Sequence, residues 1–203
     1  MRYLIRPSQI DFFRENGYIA FEEIIATEKA MREKTPSTSF SLQHNLFQRR
    51  SCFKTLATSR RLAHIALSLS GKKHIRLLFD QGFFQEDIWP STFQENSSFQ
   101  GLQLFAFLRL SPEKKGSTDR PEEANGPILP HGAGSALFFK PNVPFSIEKT
   151  LDDPADFLLI AYGDINTLYV KNPLDPLAKS PHHISHKLQP GDPVPQNLAP
   201  LLL

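Results

Sequence analysis

Cysteine is almost absent: Cys52 is the one thiol in 203 residues, so no internal disulfide can form. An excess of either charge is absent too. Lys plus Arg number 23 against 21 Asp plus Glu, a formal charge of +2, so no global field draws the chain to nucleic acid or to a membrane surface and partners must be argued locally. No apolar run reaches the 18 residues of a membrane helix; the longest, Leu104-Phe-Ala-Phe-Leu108 and Phe157-Leu-Leu-Ile-Ala-Tyr162, are strand-sized. The opening Met1–Pro7 carries no secretory apolar stretch, which with the lone thiol gives the expectation of a reduced, cytoplasmic protein. Internal repeats are missing, and His131-Gly-Ala-Gly-Ser135 is too short for a dinucleotide fingerprint.

What is present is ordinary globular material, 40% hydrophobic and 22% charged. A chain this long can bury roughly 70% of its unfolded surface, enough for a sizeable core. Ile10, Phe12 and Phe13 before Asn16-Gly17 predict a short helix with Ser8 as its N-cap and glycine at its end, followed by a strand over Tyr18–Phe21. Phe53, Leu56, Leu62, Ile65, Ala66 and Leu69 lie at helical spacing, which predicts one helix over 53–70 closed by Gly71, with Arg60 and Arg61 turned away. Beyond it the pattern becomes β-type. Short runs at 75–79, 102–110, 128–129, 136–139, 157–162 and 167–170 are separated by Gly, Pro, Asn and Asp.

These signals give an α+β, mainly β chain read as one domain over 1–203. Residues 1–74 form a helical N-terminal part, 75–190 a β core with a mobile insertion at 111–127, and 191–203 a proline-rich tail. The tail reads either as an extended strap docked by Leu201-Leu-Leu203 or as a disordered end.

Five segments in order resemble one known family. Phe12 through Ile24 resembles the opening helix, glycine and strand of phytanoyl-CoA dioxygenase-like proteins, a branch of the non-haem Fe(II)/2-oxoglutarate oxygenases. The helix end at Leu69-Ser-Gly71, the strand into Asp80-Gln-Gly-Phe-Phe84, the stretch Glu122–Pro130 and Gly163-Asp164 follow in the family's order. The resemblance implies a double-stranded β-helix, or jelly roll, flanked by helices. It also implies a facial triad on Fe(II), with His-x-Asp or His-x-Glu and a distal His, and an Arg for the distal carboxylate of 2-oxoglutarate.

This chain departs from that pattern. The residues two after His44, His64, His74, His131, His182, His183 and His186 are Leu46, Ala66, Arg76, Ala133, Ile184, Ser185 and Leu188, so no His-x-carboxylate pair exists. In the resemblance Phe93 stands at the first His, Glu95 at the carboxylate, and Asn172, followed by Pro173, at the distal His. No Arg follows Arg120, which leaves Lys187 as the candidate for a cosubstrate carboxylate. The expectation is therefore a divergent oxygenase relative without standard dioxygenase activity and without cofactor in the usual mode. Phe93, Phe99, Phe105 and Phe107 would line a dry interior able to hold an apolar ligand.

Two further constellations stand apart. Pro181-His-His-Ile-Ser-His-Lys187 could hold Fe(II) or another divalent cation through His182, His183 and His186 with Glu95 as a carboxylate partner, a rewired oxygenase site, or it is a solvated turn. Residues 43–79 carry Arg49, Arg50, Lys54, Arg60, Arg61, Lys72, Lys73 and Arg76 with no acid. With the histidines this segment suggests a divalent-cation-dependent, DNA-binding regulator, against the alternative of a basic solvent face.

Overall fold

The computed structural model describes residues 4–32, 40–84, 97–112, 127, 131–143 and 155–203. The insertion at 111–127, the run 128–129, the Glu122–Pro130 stretch, Phe93 and Glu95 lie wholly or largely outside the described residues.

In chain order the elements are α1 (Pro7–Asn16), β1 (Tyr18–Phe21), α2 (Glu28–Arg32), α3 (Ser51–Ala57), α4 (Arg60–Ser70), β2 (Arg76–Phe83), β3 (Phe99–Arg109), β4 (Ala136–Phe139) and β5 (Phe157–Tyr169). The five strands form one antiparallel sheet in the order β1-β4-β3-β5-β2. Its long central strands are apolar on both faces because both faces are covered.

Alternation sorts the side chains cleanly. Leu104, Ala106 and Leu108 of β3, Ala136 and Phe138 of β4, and Leu158, Ile160 and Tyr162 of β5 face a core shared with Phe13, Phe53, Leu62, Ile65 and Ala66 of the helical layer. The intervening positions face the opposite way, into a second core. That inner face carries Phe79, Phe83, Phe99, Phe105, Phe107, Phe139 and Phe157, and it is roofed by Leu177, Ile184, Val194 and Ala199 from the C-terminal segment.

Several expectations need correction. Residues 53–70 are two helices, not one, because Thr58 bonds its hydroxyl back to the Lys54 carbonyl (2.7 Å) and Ser59 turns extended (ψ 123°) before restarting the helix. α1 begins at Pro7, whose missing N–H costs nothing at a first helical position, so Ser8 is not its cap; the Arg6 N–H instead donates to Gln9 Oε1 (2.9 Å). The two runs 157–162 and 167–170 belong to one strand, Phe157–Tyr169, whose pairing with β3 shifts register between Gly163 and Leu168. Glycine is there for closeness rather than for a turn: a Cβ on Gly163 would sit 2.6 Å from Thr167 Oγ1 and 2.8 Å from Leu78 Cδ1.

The tail is the strap of the two readings. β2 is an edge strand, and the end of the chain covers that edge: Leu77 N–H donates to Pro200 O (3.0 Å), Ile75 N–H to Leu203 O (3.1 Å), and Leu202 N–H to Ile75 O (2.9 Å). His44 bridges Gln81 farther along β2.

Gly134 joins the helical side to the sheet. Its carbonyl accepts from the N–H groups of Ile24 and Ile25 (2.9 and 3.2 Å), at φ +82°, and a Cβ would lie 1.9 Å from Ile25 O. Backbone collides with backbone there, so Gly134→Ala is expected to cost about 3 kcal/mol or more. A fall in Tm of about 10 °C in calorimetry checks this.

Candidate functional site

The polar residues buried beside the inner aromatic core converge where segment 40–48, β2 and the C-terminal segment meet. His44 and His183 are each 1% exposed and Asp175 7%. The His44 ring packs on Phe79 (centroids 5.4 Å apart) and on His183 (5.6 Å, 30° between planes). Asn45 Nδ2 donates to the His182 carbonyl (2.8 Å), tying the two segments together.

Asp175 is densely hydrogen-bonded. Oδ2 accepts from Ser98 Oγ (2.6 Å) and Ser98 N–H (3.1 Å), Oδ1 accepts from Leu177 N–H (2.9 Å), and His183 Nε2 lies 3.4 Å from Oδ2, a contact rather than an aligned hydrogen bond. Burial pushes the Asp175 carboxyl up, but His183, the Ser98 donors and Leu177 N–H outweigh it and hold it below the usual carboxylate range.

His183 has its tautomer fixed. A backbone N–H can only donate, and that of Ser185 points at Nδ1 (3.2 Å), so the neutral ring carries its proton on Nε2, facing Asp175. Ser185 Oγ also meets Nδ1, at 2.8 Å. This geometry makes His183 the cap of a 3₁₀ turn over Ile184–His186.

His44 behaves oppositely to a poised base. Burial, with the neighbouring His183 second, drives its pKa down to about 3, and its Nδ1 has no hydrogen-bond partner. Asp80, on the outer face of β2, shows the mirror effect. Burial raises it to about 7, although both carboxylate oxygens accept from Phe47 N–H (3.1 and 3.2 Å).

The histidine-rich segment does not gather into one metal face. Because it is a 3₁₀ turn rather than an α-helix, its imidazoles diverge: His183 is interior, His182 is half-buried with its ring near Arg49, and His186 is exposed with Nε2 on Ser180 O (3.0 Å). Asn172 accepts from Leu174 N–H through Oδ1 (3.0 Å) and reaches Ser97 O through Nδ2 (3.4 Å), the work of a turn residue. Lys187 is exposed. Among the described residues, which include all seven histidines, no three His, Cys, Asp or Glu side chains are placed to hold a metal ion.

The basic segment is also divided. Arg61 Nη1 donates to Ile24 O (2.7 Å), Arg49 Nη2 to Leu42 O (2.6 Å) and His44 O (3.1 Å), Lys72 pairs with Asp164 (3.6 Å), and Arg76 is buried on Val194 O. Lys54, Arg60 and Lys73 remain exposed and Arg50 half-buried.

Sequence reasoning singled out His183 but missed its partners. His44 stands alone in its stretch and Asp175 sits in a Pro-Leu-Asp-Pro turn, so neither carries a periodic or motif signal, and only the fold brings them together.

No family model and no curated protein matches this chain. Solved structures do. The non-heme α-ketoglutarate-dependent epimerase SnoN from nogalamycin biosynthesis superposes with a TM-score of 0.72 over 97% of both chains at 17% identity. SnoK, a carbocyclase of the same pathway and cofactor dependence, gives 0.67 over 98% of this chain and 97% of its own at 16% identity. CytC3, solved with Fe(II) and α-ketoglutarate, gives 0.54 over 83% and 81% at 14% identity. The fold is therefore the jelly roll of the non-haem iron, α-ketoglutarate-dependent enzymes, with a helical layer on one face of its described sheet, as the resemblance implied.

The two buried acid–base groups make opposite contributions to stability. The unfolded chain protonates His44 below 6.5 while the folded chain resists to about 3, so its contribution is intact above pH 6.5 and declines as pH falls, by about 2 kcal/mol at pH 5. For Asp80 the folded chain keeps a proton that the unfolded chain releases above 3.8, so stability declines as pH rises toward 7, by up to about 4 kcal/mol. In urea melts at pH 5 and 8, His44→Gln should lose the acid-side decline and Asp80→Asn the other, each relative to wild type.

Proposed function

We propose that this chain is a divergent jelly-roll relative of the Fe/2-oxoglutarate oxygenases that does not carry out the standard dioxygenase reaction and acts by binding. The observation that carries this reading is the inner face of the sheet. Phe107 stacks on Phe157 (centroids 4.6 Å, 9°), Phe79 on Phe99 (5.7 Å), Phe105 on Phe139 (5.3 Å), and Phe83 meets Phe107 edge-on (5.6 Å). Hydrocarbon rings offer a metal no lone pair.

The donor chemistry agrees. A ferrous facial triad takes two imidazoles and a carboxylate on one face of the ion. The sequence has no His-x-Asp or His-x-Glu pair, and the described side chains do not fit such a centre. The closest approach to one, His44 and His183 beside Asp175, is committed in part within the chain, Asp175 on Ser98 and Leu177 and His183 Nδ1 on Ser185, while His44 Nδ1 and His183 Nε2 are buried without a hydrogen-bond partner. Fold alone does not carry activity when the residues that perform it have changed.

Two measurements test the reading. Anaerobically reconstituted with Fe(II) and then given oxygen and 2-oxoglutarate, the protein should form no succinate above a metal blank and give no saturable heat with 2-oxoglutarate; Fe(II)-dependent succinate would contradict it. Truncation of Phe107 distinguishes a filled core from an open pocket. Phe107→Ala should cost about 3–5 kcal/mol in denaturant unfolding, whereas a ring lining an empty substrate cavity would cost far less.

A further inference from the structure

Arg76 opens β2 on the inner side of the sheet edge and is 5% exposed. Its Nη1 donates to the carbonyl of Val194 in the strap, and among the described residues this is the guanidinium's one hydrogen bond; Nε is fully buried without a partner. Among the described residues no carboxylate forms an ion pair with it. Asp164 acts on Arg76 only from a distance, and that carboxylate is already committed to Lys72 Nζ (3.6 Å) and Gln103 Nε2 (3.3 Å). A buried cation without a counter-charge is costly, and native structures that keep one supply an ion or polar ligand for it.

The bonding pattern says which ligand. With Nη1 occupied by Val194, the edge left over is Nε with Nη2, two parallel N–H groups. That fork matches the oxygen spacing of a carboxylate or phosphate. The sheet is irregular at the same level: β2 shifts register between Leu77 and Phe79, and β3 between Gln100 and Leu104, both against β5 around Tyr162 and Gly163. Bulges of this kind re-aim side chains and gather at binding sites.

We propose that Arg76 anchors an oxyanion site beneath the strap, its free Nε and Nη2 edge gripping a carboxylate or phosphate group of a small ligand while Nη1 stays on Val194. The site uses none of the residues of the His44 cluster, so it stands or falls independently of the reading of the aromatic core. The strap lies over it through Val194, so anion binding adds a contact at the edge of β2 that the strap already covers.

Thermal melts of the full chain with inorganic phosphate and, separately, with acetate test this, against sodium chloride at matched ionic strength. A saturable rise in Tm with phosphate assigns a phosphate ligand, and one with acetate a carboxylate. Arg76→Met should abolish the rise and, with the uncompensated charge gone, melt no lower than wild type in anion-free buffer. Arg76→Lys keeps the charge without the fork and should weaken the response at least tenfold in half-saturating concentration; it is also the variant that decides if Arg76→Met does not fold. No rise above the chloride control with either anion would overturn the proposal, as would an undiminished rise in Arg76→Lys. A lower melting point for Arg76→Met with no anion response in wild type would make Arg76 a pin for the strap and nothing more.

Discussion

Phe107 and Phe157 lie face to face on neighbouring strands, 4.6 Å between centroids, and the organisation of the molecule depends on that contact and the aromatic pairs around it. Among the described residues the rings pack on one another as a core does. The strap and the segment from Leu177 to Ala199 then have an apolar surface to close over, which is why a tail rich in proline is ordered along it. Arg109 adds to the same stack, its guanidinium 5.5 Å from the Phe157 ring centroid.

Around this core the polar residues fall into two kinds. At the His44, His183 and Asp175 junction, Asn45 Nδ2 on the His182 carbonyl fastens the 40–48 segment to the C-terminal segment, and Asp175 is held by Ser98 and Leu177. Arg76 is different in that its buried charge has one hydrogen bond, Nη1 on Val194 O, and its Nε is buried without a partner among the described residues.

Much of the fold can be read from residue order because local rules suffice there. β1 and β4 begin where the apolar runs Tyr18–Phe21 and Ala136–Phe139 follow Gly17 and Ser135 and end where the charged Glu22 and Lys140 follow them, and α4 follows its apolar stripe to Gly71. The break at Thr58-Ser59 escapes such reading because a threonine hydroxyl bonding back to the Lys54 carbonyl and one extended serine leave no composition signal. Gly163 misleads because a glycine demanded by the closeness of Thr167 and Leu78 looks the same in sequence as one demanded by a turn. The candidate site is less legible still. The loss of His-x-carboxylate pairs is plain in the sequence, yet the meeting of His44 with Asp175 and His183, and the isolation of Arg76, arise from long-range pairing that no local pattern encodes.

The likeness to SnoN and SnoK extends over nearly the whole chain at 16–17% identity, which shows a shared fold and leaves the chemistry to be argued from the residues. The most direct test of the proposed loss of the iron centre is an anomalous-scattering map from crystals grown without oxygen in Mn(II) and 2-oxoglutarate. The account predicts phenyl rings in contact and no anomalous peak within the jelly roll. A peak held at about 2.1 Å by two imidazoles and a carboxylate would contradict it.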